Sequence, residues 1–113
     1  MAKKATTKEA FFAAAPKPKT AEVRLDGQTV TIRAMNVGER LKFEAAASGK
    51  PSGEVALLAV VASVIDAEGN LMFSPDDVDR LKALPPESVL PIMRAVLKLN
   101  ALTERDVKEL AKN

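Results

Sequence analysis

The sequence predicts an α+β fold, with an N-terminal β-hairpin packed on a mainly helical domain of about five helices. Three observations lead there. Residues 21–34 alternate apolar and polar side chains about Asp26-Gly27. Residues 37–110 carry apolar side chains at helical spacing, broken by turn signals, and capping residues stand at several of the breaks.

The hairpin comes first. Glu22 and Arg24 face outward while Val23 and Leu25 face inward, and Val30 and Ile32 resume the alternation after the turn. Gly27 supplies the positive φ that a two-residue turn demands. That register pairs Val23 with Val30 and Ala21 with Ile32 on one face, and Arg24 with Thr29 and Glu22 with Thr31 on the other. A lone hairpin is unstable in water, so its apolar face must meet the helices that follow.

Asn36, with Glu39 three residues on, reads as a capping box that opens a helix over 37–47. This helix offers Val37, Leu41, Phe43 and Ala45 to a core and ends at Ser48-Gly49. Ser52 is placed to cap the next helix, about 53–66. Its residues Val55, Leu57, Leu58, Val60, Val61, Val64 and Ile65 make it apolar nearly all round, as expected of a central helix or one at a subunit contact. A turn over 67–70 and a short apolar run, Leu71-Met72-Phe73, follow. Ser74-Pro75-Asp76-Asp77 then starts a short helix with Val78 and Leu81 inward. The next helix runs from Pro86 or Ser88 to Leu99. Pro91 is tolerated if the helix begins at Ser88 and otherwise should kink it. Thr103 with Asp106 opens a last helix with Val107 and Leu110 inward.

Residues 1–20 read as a basic, flexible tail, in which residues 7–15 reach at most one or two marginal helical turns, ahead of a single domain over 21–113. The tail holds five lysines against Glu9, a balance of +4, while the rest of the chain carries 12 basic and 14 acidic side chains. A nucleic-acid-binding domain would concentrate Lys and Arg on a folded face, which disfavours that partner here. Residues 10–15 are too short an apolar run for a secretory signal, and no stretch reaches the length of a membrane span. The expected location is cytoplasmic, with no membrane partner. Phe11 and Phe12 are unusual in a solvated tail. They read either as a loose contact with the body or as a docking motif that orders when a partner arrives.

The chain has no Cys and no His, which excludes disulfides, thiol nucleophiles, His-containing triads and Cys/His zinc sites. It has no Trp or Tyr and four Phe, so stacking platforms for single-stranded nucleic acid are few. Asp66, Glu68, Asn70, Ser74 and Asp77 fall at positions 1, 3, 5, 9 and 12 of a calcium loop. Leu71 replaces the required Gly, however, and Asp77 the longer bidentate Glu. Asp76 and Asp77 sit where ionised carboxylates stabilise a helix start, with no base or nucleophile beside them. The sequence therefore points to a binding protein with no catalytic residue, metal or cofactor. Its apolar helices exceed the needs of a small core, and Leu58, Val61 and Phe73, with Phe11 and Phe12, are the candidate interface residues.

The succession of residues 30–44 (VTIRAMNVGERLKFE) and 64–78 (VIDAEGNLMFSPDDV), then a short Leu-rich helix, Leu99-Asn100 leading to Thr103, and a terminal Ala111-Lys112-Asn113, resembles the tail assembly chaperones of long-tailed phages. The resemblance spans residues 20–113. It implies a non-enzymatic, homo-oligomeric helper in the host cytoplasm. Such a helper coats and solubilises the tape measure protein, helps recruit tail tube subunits and is absent from the mature virion. The family commonly makes a longer form by a −1 ribosomal frameshift. A slippery heptamer encoding Lys112 and Asn113 is compatible with that, which makes these two the candidate frameshift position. Two other readings stay open: a small nucleic-acid-binding protein using the lysine-rich tail, and a structural tail or neck component.

Overall fold

The structure, a computed structural model, describes residues 4–113. Lys3, counted in the basic tail, lies outside the described residues. The elements in order are α1 (Lys8–Ala13), β1 (Thr20–Leu25), β2 (Gln28–Arg33), α2 (Val37–Ala47), α3 (Ser52–Val61), β3 (Val64–Ile65), α4 (Val78–Lys82), α5 (Pro86–Leu99) and α6 (Glu104–Lys112), with a 3-10 turn at Pro75–Asp77. The class is α+β.

The strands form one antiparallel sheet in the order β1-β2-β3. In the hairpin Val23 pairs with Val30 and Ala21 with Ile32, as the alternation predicts, and Gly27 takes φ 81° in the turn. Val23 and Ile32 are buried, and α5 covers β1 and β2. Apolar α3 lies at the centre, against α2, α4, α5 and α6. Val55, Ala59 and Val60 on α3 are fully enclosed, together with Val64 of β3 and Val96 of α5.

Four expectations need correction. First, the helix expected to reach residue 66 stops at Val61, and Val64–Ile65 is the third strand, paired Ile32 with Val64 and Thr31 with Ile65. Apolar periodicity does not separate a buried helix from a buried strand. What decides is the free edge of β2, which gives two β-branched residues a ladder to join. Second, α2 buries Phe43 and Ala47, while Val37, Leu41 and Ala45 point to solvent. Val37 is 77% and Leu41 62% exposed. At 100° per residue these three lie opposite Phe43, so the four never shared a face. Third, Ser52 is the first residue of α3 and makes no side-chain cap; Pro51 is the N-cap. Fourth, a sixth helix, α1, forms in the N-terminal tail, where the Thr7 hydroxyl accepts from the Ala10 N–H at 3.1 Å. α5 begins at Pro86 and contains Pro91, which removes one backbone N–H from its second turn.

The capping boxes of α2 and α6 form as their spacing predicts. In α2, Glu39 Oε1 accepts from the Asn36 N–H and Oε2 pairs with Arg33 at 2.6 Å, tying the helix to the end of β2. In α6, hydrogen bonds from the backbone and hydroxyl of Thr103 hold the Asp106 carboxyl below the usual carboxylate range.

Asn100, the C-cap of α5, joins three parts of the fold. Its Oδ1 accepts from the Met35 N–H at 2.8 Å. Its Nδ2 donates to Ser63 Oγ at 3.0 Å and to the Val96 carbonyl at 2.9 Å. Ser63 is fully buried, and its own carbonyl accepts from the Arg33 N–H. Elsewhere the α2–α3 turn meets the end of the chain, where the Gly49 N–H donates to the Leu110 carbonyl at 2.9 Å. Gly49 takes φ 77°, and a Cβ there would stand 2.7 Å from the Asn113 carbonyl oxygen.

Two stability predictions follow from these contacts, both read by urea unfolding. Asn100→Ala leaves the Met35 N–H and the Ser63 hydroxyl without their partner and should cost about 2 kcal/mol. Combining it with Ser63→Ala should cost less than the two single changes added together. Gly49→Ala should cost about 2 kcal/mol from the left-handed conformation alone, with the clash at Asn113 added to it. An unchanged urea midpoint in either single variant would contradict the corresponding contact.

Candidate protein-binding groove

Three segments enclose an apolar groove of about 370 Å³. α2 contributes Glu39, Lys42, Phe43 and Ala46, at the i, i+3, i+4 and i+7 spacing of one helix face. α3 contributes Leu58, Val61 and Ala62, and the segment after β3 contributes Leu71, Phe73, Ser74 and Pro75. This last wall is anchored at both ends. Upstream, Leu71 bridges Ile65, the Met72 N–H donates to the Val64 carbonyl, and Asp66 Oδ1 takes the N–H groups of Glu68 and Asn70. Downstream, the Ser74 N–H donates to Asp77 Oδ2 at 2.9 Å. The strand return and the helix cap between them hold Phe73 at the groove. Those backbone bonds also occupy Asp66 and Asp77, the two ends of the calcium-like spacing. Among the described residues no group of three or more acidic side chains is placed to hold a metal ion.

Leu58, Val61 and Phe73, chosen from the sequence as interface candidates, thus meet in one groove. Their burial differs. Val61 is buried and belongs to the core that floors the groove, while Leu58 and Phe73 are half-buried and pack against that core. Leu71, 39% exposed, stands at the mouth and is the member that sequence reasoning left unassigned. The apolar run 71–73 between two turn signals was its only sequence mark. Phe73 also walls a second hollow of about 260 Å³, with Met72, Leu81 and Leu84.

Phe11 and Phe12 lie outside the groove. They stand edge to face on α1, with ring centres 5.5 Å apart, and are 62% and 68% exposed. The ridge of Val37 and Leu41, assigned to the core by sequence, is a further exposed apolar feature on the far side of α2. Lys112 ends α6, and Asn113 is its exposed C-cap.

One end of the groove carries more acidic than basic side chains. Past Ala46, Leu58 and Pro75 the groove opens into a hollow of about 500 Å³, lined also by Lys50, Glu54, Asp76 and Asp79. Lys82 donates to the Glu54 carboxylate, which holds that carboxyl below its ordinary range and raises the lysine above its own. Among the described residues no ion pair uses Asp76 or Asp79. A groove with an apolar floor and an acidic end suits an apolar segment with basic flanks.

Compared with protein-family models, curated proteins and solved structures, the chain matches none. Among the described residues, no helix is long and apolar enough to cross a membrane.

Val61→Asp should prevent folding, because it buries an unpaired charge. Leu71→Asp, at the exposed mouth, should keep the far-UV circular dichroism spectrum and shift the urea midpoint little. The reverse order of the two effects would place the groove floor and mouth wrongly.

Proposed function

We propose that this chain is a non-enzymatic assembly chaperone of the long-tailed phage type. It takes apolar helical segments of the tape measure protein into the groove, keeps that long partner soluble, and yields it to arriving tail tube subunits. In this reading it acts as a homo-oligomer in the host cytoplasm and does not remain in the mature virion. One observation carries the proposal. The two sequence stretches on which the family resemblance rests, residues 30–44 and 64–78, supply two of the three groove walls, through Glu39, Lys42 and Phe43 and through Leu71, Phe73 and Pro75.

The physics supports the same reading. An open groove of this size holds a few side chains, so each contact is weak and reversible. Many weak contacts on one long partner still sum to effective coating. A longer form arising by frameshift over Lys112 and Asn113 belongs to the same proposal, and reading those two codons tests it.

The exposed lysines of the tail favour one alternative, a nucleic-acid-binding role. It predicts DNA retention that weakens steeply with salt and is lost on deleting residues 1–20. The chaperone reading predicts instead that co-expression rescues an otherwise insoluble tape measure protein and that the two co-purify. Leu71→Asp should abolish the rescue while the chaperone itself stays folded. Failure of the wild-type pair to co-purify would refute the reading, as would recovery of the chain in stoichiometric amount from virions.

A further inference from the structure

The N-terminal arm is the largest feature that the groove leaves unexplained. Every residue from 4 to 20 is exposed, and no residue of α1 is buried. Two neighbouring phenylalanines at such exposure leave a large apolar area with no cover from their own chain. They are flanked by Lys4 and Lys8 on one side and Lys17 and Lys19 on the other, against Glu9 alone. Among the described residues none of these lysines takes part in an ion pair.

The groove has the complementary character. Its lining is apolar at Leu58, Phe73 and, at the mouth, Leu71, and it runs into the hollow where Glu54, Asp76 and Asp79 outnumber Lys50. We infer that Phe11 and Phe12 of one copy dock in the groove of a second copy, with the flanking lysines over its acidic end. The arm stands clear of its own body. The Cα radius of gyration is 16.1 Å, against about 13 Å for a compact chain of this length. The contact is heterologous, since arm and groove are different surfaces, so successive copies join head to tail. Two phenylalanines bury on the order of 300–500 Å², well below a standard interface, so each joint is weak and reversible. Arm and apolar client would compete for the groove, and that consequence alone rests on the chaperone reading.

Sedimentation velocity of the full chain, without any client, tests the contact. The wild type should associate with rising concentration, and less so at high salt. F11A/F12A, which removes only exposed rings, should stay monomeric over the same range. L71E should also stay monomeric while keeping its circular dichroism spectrum. An equimolar mixture of the two should form a one-to-one complex that grows no further, because one variant supplies the groove and the other the arm. Should L71E fail to fold, D76K/D79K takes its place. These carboxylates are exposed, and their reversal should weaken wild-type association at least tenfold. Three results would overturn the inference: a wild type that is monomeric throughout, F11A/F12A associating like the wild type, or a mixture of folded variants that stays monomeric. Because no client is present, none of these results bears on tape measure binding.

Discussion

The Asn100 carboxamide satisfies groups from three separate parts of the chain, and the rest of the fold is arranged around that fact. It receives the Met35 N–H from the β2–α2 connection, reaches the buried Ser63 hydroxyl between α3 and β3, and closes the last turn of α5 at the Val96 carbonyl. Ser63 and Val96 are buried and Met35 and Asn100 half-buried, so a missing partner is costly, most of all at Ser63. Ser63 is the buried polar residue of the core, and no buried side-chain polar atom among the described residues is left without a partner. The node thereby ties the α3–β3 junction and the β2–α2 connection to the end of α5.

The groove is a consequence of that placement. Because α3 stops at Val61 and the chain turns into β3, the segment that follows is brought back beside α3 by the Ile65–Leu71 bridge. Phe73 then lines one groove with Phe43, Leu58 and Val61. A helix continued to residue 66 would have carried Phe73 away and left no third wall. The orientation of α2 matters equally. The Glu39 carboxylate grips Asn36 and Arg33 together, and in the orientation so held Phe43 is buried while Val37 and Leu41 stand in solvent.

A protein without Cys, His, Trp or Tyr has few ways to make strong single contacts. Here the available material is aliphatic surface, a pair of phenylalanines and a charge asymmetry between arm and body. Such material favours modest, reversible association over tight binding, because hot-spot energy comes mainly from large anchors in deep pockets.

Much of this was legible in the residues alone. The hairpin register followed from strict alternation about Asp26-Gly27, since the strand period of two leaves one pairing that keeps Val23, Val30 and Ile32 on a common face. The capping boxes at Asn36 and Thr103 were equally plain, because a cap is a contact between residues three apart. The sequence by itself thus determined the α+β class, the local helix starts and the absence of thiol and imidazole chemistry, all of which depend on near neighbours or on composition. Only the tertiary structure decided that Val64–Ile65 is a strand, that α2 turns Phe43 rather than Leu41 inward, and that Leu58, Val61 and Phe73 share a groove. The strand and the groove are set by segments distant along the chain: the open edge of β2, which β3 joins, and the return of residues 71–75 beside α3. Apolar spacing marks candidates for burial, but which of them are covered, and by what, depends on the rest of the fold, as exposed Val37 and Leu41 show.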